Sequence, residues 1–291
     1  MPTVLIETRL PRPPADEEAI IDAVHAALVE AFRIPGTDRE LRLVQHAPHR
    51  MTCPPDRAQP ELFTLVTIDA FAGRSVDAKR ALYAAIVARL ADAAVSSALA
   101  FFLRAEAAAG RFRPADPANP AEGSGVIVLA MGKYGAFELN YSSDIDFVVF
   151  FDAERMRIAE SVQAVPFLVR VVQNVVKALQ ERTGDGYVFR TDLRLRPDAG
   201  ATQIAMSTDT AALYYEGMGQ NWERAAMIKA RAAAGDIEAG EAFIAELRPF
   251  VWRKYLDFAA IEDIHSIKRQ IHAAKGGAAV AIISGTGDIA K

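Results

Sequence analysis

The sequence predicts a mixed α/β (α+β) protein: a β-α-β-α segment, then buried strands alternating with helices, then a helical C-terminal part. Three observations predict it. Short apolar or alternating runs recur at residues 3–8, 126–131 and 144–151. Long stretches with apolar residues at helical spacing separate them. From about residue 208 the spacing is helical almost without interruption.

The elements follow in order. "TVLIET" (3–8) alternates and reads as a strand. "PPADEEAIIDAVHAALVEAFRI" opens with two prolines and continues at helical period. "PELFTLVTIDAFAG" is rich in β-formers. Ser75 is a natural N-cap for the long helical pattern that ends near Gly110. "GRFRPADPANPAEGSG" (110–125), with Pro114, Pro117 and Pro120, reads as a loop or linker. "VIVLAM" is a continuous apolar strand, and "DIDFVVFF" opens a second one on two acids. "VQAVPFLVRVVQNVVKALQER" is amphipathic, and "GYVFRTDLRLRP" alternates as a strand. Residues 208–234 and 237–275 read as helices; 276–291, Gly-rich and without period, form an atypical tail.

The chain has 291 residues and a formal net charge of −4, which offers no bulk positive charge for a nucleic-acid partner. Its single cysteine, Cys53, excludes an internal disulfide and a cysteine metal cluster. No signal sequence and no membrane-length apolar stretch is read, so a cytoplasmic location without a membrane partner is expected. The histidines His25, His46, His49, His265 and His272 have no zinc-ligand spacing and read as surface or packing residues.

Chemistry concentrates around the second apolar strand. On a strand Asp144 and Asp146 point the same way, roughly 7 Å apart. Two carboxylates on one face repel unless a cation stands between them, and Mg²⁺ takes hard oxygen ligands while keeping positions for water and phosphate. Asp192 supplies a third acid, on one predicted strand face with Arg190, Arg194 and Arg196. Arginines beside a metal-holding acid suit phosphate oxygens. A solvated face of paired charges fits the same alternation. Before the acidic pair stands Gly132-Lys133, a glycine turn that lets backbone approach phosphates. Turn, helix and Asp-x-Asp strand together resemble the layout of polymerase-β-like nucleotidyltransferases.

"LAMGKYGAFELNYSSDIDFVVFFD" resembles the signature of the bifunctional glutamine synthetase adenylyltransferase/adenylyl-removing enzymes. "GYVFRTDLRLRPDAG", "NWERAAMIKARAAAG" and "RPFVWRKYLDFAAIEDIHSIKRQIH" resemble that family's next segments in the same order, so the resemblance runs over about 93–275. The "ELNYSSDID" wording is nearer the N-terminal, adenylyl-removing half. The resemblance implies Mg²⁺-dependent nucleotidyl chemistry: phosphorolytic removal of AMP from a tyrosine of glutamine synthetase, releasing ADP, opposed by transfer from ATP. It implies glutamine synthetase, ADP or ATP and phosphate as partners, and leaves room for a PII-type regulatory protein. It implies Asp144, Asp146 and Asp192 as catalytic metal ligands. Gly132, Lys133, Ser143, Arg194 and Arg196 would lie near phosphate. Arg224, Lys229 and Arg231 would line the nucleotide cleft, with Arg224 and Arg231 on one helix face; an outer face of ordinary ion pairs is the plainer reading of these three.

Residues 1–92 are different. "MPTVLIETR", "IIDAVHAALVEAF" and "LVTIDAFAGRSVDAKRALYAAIVARL" resemble tautomerases of the 4-oxalocrotonate tautomerase superfamily. That resemblance implies Pro2 as a catalytic base once Met1 is removed, with Arg9 and Arg12 as nearby cations. The final strand of such a unit is missing. The expected parts are therefore an incomplete tautomerase-like segment (1–92), a nucleotidyltransferase core with a leading helix (93–207), the helical part of the same domain (208–275) and the tail. A tautomerase-like isomerase using Pro2, or an inactive truncated fragment, are the alternatives to the nucleotidyltransferase.

Overall fold

The computed structural model describes residues 2–9, 11–52, 63–140, 143–182, 187–252 and 269. Cys53, the helix expected over 253–275 and the tail at 276–291 lie outside the described residues, save for Arg269.

The front unit is a three-stranded sheet with two helices on one face. β1 (Thr3–Thr8) is central, β2 (Leu41–Gln45) runs parallel to it and β3 (Thr64–Asp69) antiparallel. Alternation does what it should: Val4, Ile6 and Thr8 of β1 are buried, and their neighbours are half-exposed. α1 (Pro14–Phe32) places Pro14 at its first turn, where the missing N–H costs nothing, and ends on Arg33 in the left-handed region. α2 (Val76–Ala108) is capped by the Ser75 hydroxyl, which accepts from the Ala78 N–H at 3.1 Å. Val24, Ala27 and Leu28 of α1 and Leu82 and Ala85 of α2 close this core against Val4 and Ile6. The expected β-α-β-α order is thus β-α-β-β-α. β2 escapes sequence reading because it is five residues long and none of them is fully buried.

The second unit has three layers. β4 (Val126–Ala130) pairs antiparallel with β5 (Ile145–Phe151) on one side and β8 (Arg231–Gly235) on the other. Two short strands, β6 (Thr191–Asp192) and β7 (Ala205–Ser207), run parallel to β5 along its other edge. One sheet face packs on α2 and α4 (Ala164–Gln180) through Val128, Phe147 and Val149. The other packs, through Ile127, Leu129, Val148 and Phe150, on the helices α5 (Thr208–Gly217), α6 (Asn221–Met227), α7 (Ile237–Glu246) and α8 (Arg248–Val251). Cover on both faces explains why β4 and β5 read as unbroken apolar runs.

Three expectations need correction. "GYVFRTDLRLRP" contains only a two-residue strand, and the chain turns from Arg194 onward. "RAAAG" is a strand, not a helix: pairing Ile127 with Gly235 and Val128 with Ala234 overrides the helical preference of alanine. α2 is long and apolar enough to cross a membrane by length and composition, contrary to the reading that no stretch is. Its apolar residues serve both units, since Leu82 and Ala85 belong to the front core while Ala88, Ala91, Val95, Leu99 and Leu103 belong to the second.

Candidate functional site

The acids meet because of strand register. Asp146 of β5 pairs in register with Asp192 of β6, and parallel partners on adjacent strands project to the same face about 4.8 Å apart. Asp144 stands just ahead of β5. The Met131 N–H donates to the Asp146 carbonyl at 2.8 Å and draws the next residue, Gly132, alongside. Gly132 has φ +54, which favours glycine, and a Cβ there would come within 3.1 Å of Asp146 Oδ2 and press on that carboxylate. Lys133 follows in the single-turn helix α3 (Gly132–Gly135). Gly135 is constrained by space alone and more tightly: a Cβ would fall 2.0 Å from the Lys229 carbonyl.

The cluster is electrostatically uneven. Burial first, then the carboxylates of Asp192 and Asp144, push Asp146 up to about 6, against the pull of Arg194 and Lys133. Asp192 is held below the usual carboxylate range, chiefly by the Arg194 guanidinium that binds it at both oxygens. The Arg194 main-chain N–H donates to the same carboxylate at 2.8 Å. Asp144 accepts from Arg190 Nε. Among the described residues no three acids or imidazoles stand ready-made around one point. The reason is local: Asp144 is turned onto Arg190 and Asp192 onto Arg194. Both arginines are mostly exposed, so swinging them aside costs little. Three hard oxygen donors, one of them destabilised as an anion by the other two, fit Mg²⁺.

The other expected residues divide. Lys133 acts on Asp146 and belongs to the cluster. Ser143 Oγ accepts from the Asn140 N–H at 3.3 Å and closes the turn before Asp144. Arg196 lies beyond the two-residue strand; it donates to the carbonyls of Leu193 and Ala199, both at 2.8 Å, and its charge still helps to hold Asp192 low. Arg224 and Arg231 do not share a helix face, because Arg231 begins β8. Arg224 is buried and donates to the Phe250 carbonyl at 2.8 Å. Lys229 pairs with Glu138 at 2.7 Å, and Arg231 binds Asp92 at both oxygens. Sequence reasoning did not single out Asp92, Glu138 or Phe137 at all. A groove of about 560 Å³ lies beside Arg190 and is lined also by Lys177, Arg182 and Tyr187.

In the front unit Pro2 is buried at the head of β1. Arg9 stands past the other end of that strand, roughly 20 Å away at 3.3 Å per residue, and donates to the Pro48 carbonyl. It is therefore not a cation near Pro2. Register places Thr3 opposite Asp69, so Pro2 adjoins Ala70. Ala70 lines a cavity of about 250 Å³ together with Phe71, Tyr83 and two cations that sequence reading overlooked, Arg74 and Lys79.

The family model described as glutamate-ammonia ligase adenylyltransferase matches residues 77–246. A second, described as tautomerase enzyme, matches residues 38–98. The two overlap inside α2. A bifunctional glutamine synthetase adenylyltransferase/adenylyl-removing enzyme from Bradyrhizobium sp. (strain ORS 278) is 58% identical over 193 residues, which is 66% of this chain and 20% of that protein. The protein of that name from Xanthobacter autotrophicus (strain ATCC BAA-1158 / Py2) is 59% identical over 193 residues, with the same coverage. The chain thus spans about one fifth of the length of these relatives. Among solved structures, a malonate semialdehyde decarboxylase is similar at 25% identity, covering 30% of this chain and 70% of that one, with a TM-score of 0.28. The FG41 malonate semialdehyde decarboxylase is similar at 33% identity over 31% and 72%, with a TM-score of 0.27.

Proposed function

Since the chain belongs to the glutamate-ammonia ligase adenylyltransferase family, we propose that Asp144, Asp146 and Asp192 form the centre of a nucleotidyl-transfer site acting on glutamine synthetase. The reaction proposed is phosphorolytic removal of AMP from a tyrosine. A phosphate oxygen attacks the AMP phosphorus, the bond to the tyrosine oxygen breaks, ADP leaves and the tyrosine regains its proton. The observation that carries the reading is the in-register pair Asp146–Asp192 beside the Gly132 turn.

Asp144, Asp146 and Asp192 would hold Mg²⁺, which on binding neutralises phosphoryl oxygens. Lys133 and Arg194 would neutralise the remaining oxygens, and Arg190 would guide them from the groove it lines. Gly132 allows main chain to approach where a side chain would collide with Asp146. Arg196 and Ser143 brace the loops on either side, while Arg224, Lys229 and Arg231 serve the scaffold.

The test is ADP release from adenylylated glutamine synthetase with phosphate and Mg²⁺. Release that is abolished by Asp144→Asn and by chelator supports the reading. Equal release in that variant overturns it.

A further inference from the structure

The turn that carries Gly132 and Lys133 is gripped from behind. Arg231 binds Asp92 of α2 at 2.9 and 2.8 Å, and the same guanidinium reaches the Tyr134 carbonyl at 3.4 Å. It also lies 3.9 Å from the centre of the Phe137 ring. Arg89 of α2 takes that ring too, at 4.3 Å, and pairs with Glu30 of α1 at 3.1 Å. Arg89 approaches Asp92 at 3.6 Å. One step farther on, Lys229 holds Glu138.

Phe137 itself has φ 55, a backbone region that a bulky L-residue avoids. Such strain persists only where the surroundings over-determine it, and it gathers at functional sites. Here Phe137 packs against the cores of both units. α3, at four residues, is too short to hold its own place. A bidentate guanidinium fixes angle as well as distance, and an ammonium does not.

We propose that Arg231, Asp92 and Arg89 are positioning residues. Through Phe137 and the Tyr134 carbonyl they set the Gly132–Lys133 turn against Asp146, and Arg89 ties that setting to the front unit through Glu30. The inference deepens the nucleotidyl-transfer reading and rests on it for the purpose of the turn, but not for the grip itself.

The test uses the full chain and two measurements. The first is hydrogen exchange at Gly135, Ala136 and Glu138, whose N–H groups donate to Met131, Gly132 and Lys133. The second is the affinity for Mg-ADP. In Arg231→Lys the three turn amides are expected to exchange about tenfold faster while interior amides of α4 stay within about twofold. Mg-ADP should bind about tenfold more weakly. Glu30→Gln should speed the same amides about two- to threefold. Unchanged turn amides in Arg231→Lys, or a uniform rise that includes α4, overturn the inference. So does unaltered Mg-ADP affinity with a loosened turn. No effect of Glu30→Gln removes the link to the front unit. Should Arg231→Lys fail to fold, Phe137→Leu is read in the same way; failure of both shows a purely structural grip and overturns the proposal. If the unsubstituted chain binds no Mg-ADP, the nucleotidyl-transfer reading falls, and the exchange result decides the grip alone.

Discussion

Asp146 and Asp192 are register partners on adjacent parallel strands, so two carboxylates share one face with a third, Asp144, just ahead of them. The arrangement is costly without a cation. Asp146 rises from its ordinary 3.8 to about 6, first through burial and then through its acidic neighbours. The folded chain therefore holds this proton more tightly than the unfolded one. The stability that follows is present at low pH and is lost as pH rises through about 6.

Asp146→Asn should accordingly trade function for stability. In chelator at pH 7.5 the variant should be more stable by on the order of 1–2 kcal/mol, allowing for solvent screening. Near pH 4 the gain should vanish. AMP removal should fall by at least ~100-fold. Urea unfolding at both pH values and the ADP-release assay measure this; a pH-independent gap between variant and parent would refute the electrostatic account.

The two turn glycines should fail differently. Gly132→Ala forces a side chain into φ +54 and against the Asp146 carboxylate, costing about 1 kcal/mol of stability but most of the activity. Gly135→Ala meets two backbone oxygens, at 2.0 Å from Lys229 and 2.6 Å from Ala130, with no flexible end to yield. It should cost about 3 kcal/mol or more. Denaturant midpoints rank the two, and the reverse order would show the turn adjusts more easily than its contacts allow.

Glu106 has the opposite sign to Asp146. It is buried on α2 and accepts from Arg111 at 2.5 Å and from Arg170 of α4 at 3.0 Å. The Arg111 hydrogen bond, above all, holds its carboxyl below the usual range, with Arg170 adding to it. Its contribution is present above the unfolded value of 4.5 and lost as pH falls through the lower folded value. Glu106→Gln should cost about 1–2 kcal/mol at pH 7 and progressively less below pH 4.5. Thermal unfolding across that range tests it; an equal loss at every pH would count against the ion pairs.

The proposed direction, AMP removal, rests on the resemblance of residues 138–146 to the adenylyl-removing half of the family. With ATP and unmodified glutamine synthetase the chain should incorporate little AMP. Radiolabelled ATP measures it, and robust incorporation would reverse the assigned direction.

The acids and the glycine turn could be singled out because each carries its own local signature: period-2 spacing for Asp144 and Asp146, and a Gly-Lys turn ahead of them where backbone could approach a phosphate; that Gly132 also lies against Asp146 was visible only in the structure. The strand at 231–235 was not, because alanine prefers a helix and only the edge offered by β4 makes it a strand. The partners of Arg224, Lys229 and Arg231 were hidden for a related reason. A cation's partner is chosen by the tertiary fold, and Asp92, Glu138 and the Phe250 carbonyl are remote in sequence from the arginines and lysine they bind. The alternation of Arg190, Asp192, Arg194 and Arg196 was real in the letters, but the strand it implied ends at Asp192 and the chain turns at Arg194, so the arginines reach the acids from a loop.

Because one continuous helix enters both cores, the two units share a phase. Between Ala85, in the front core, and Ala88, in the second, there is no loop to absorb a change of length. One residue inserted there would rotate everything before it by about 100° and lift it by about 1.5 Å. Glu30 would then swing away from Arg89, and Phe137 would lose its place against the front core. Any ancestral joining of two such pieces was thus constrained by angle as much as by composition, and among the lengths this helix has available only about one in every 3.6 returns the front unit to the same bearing.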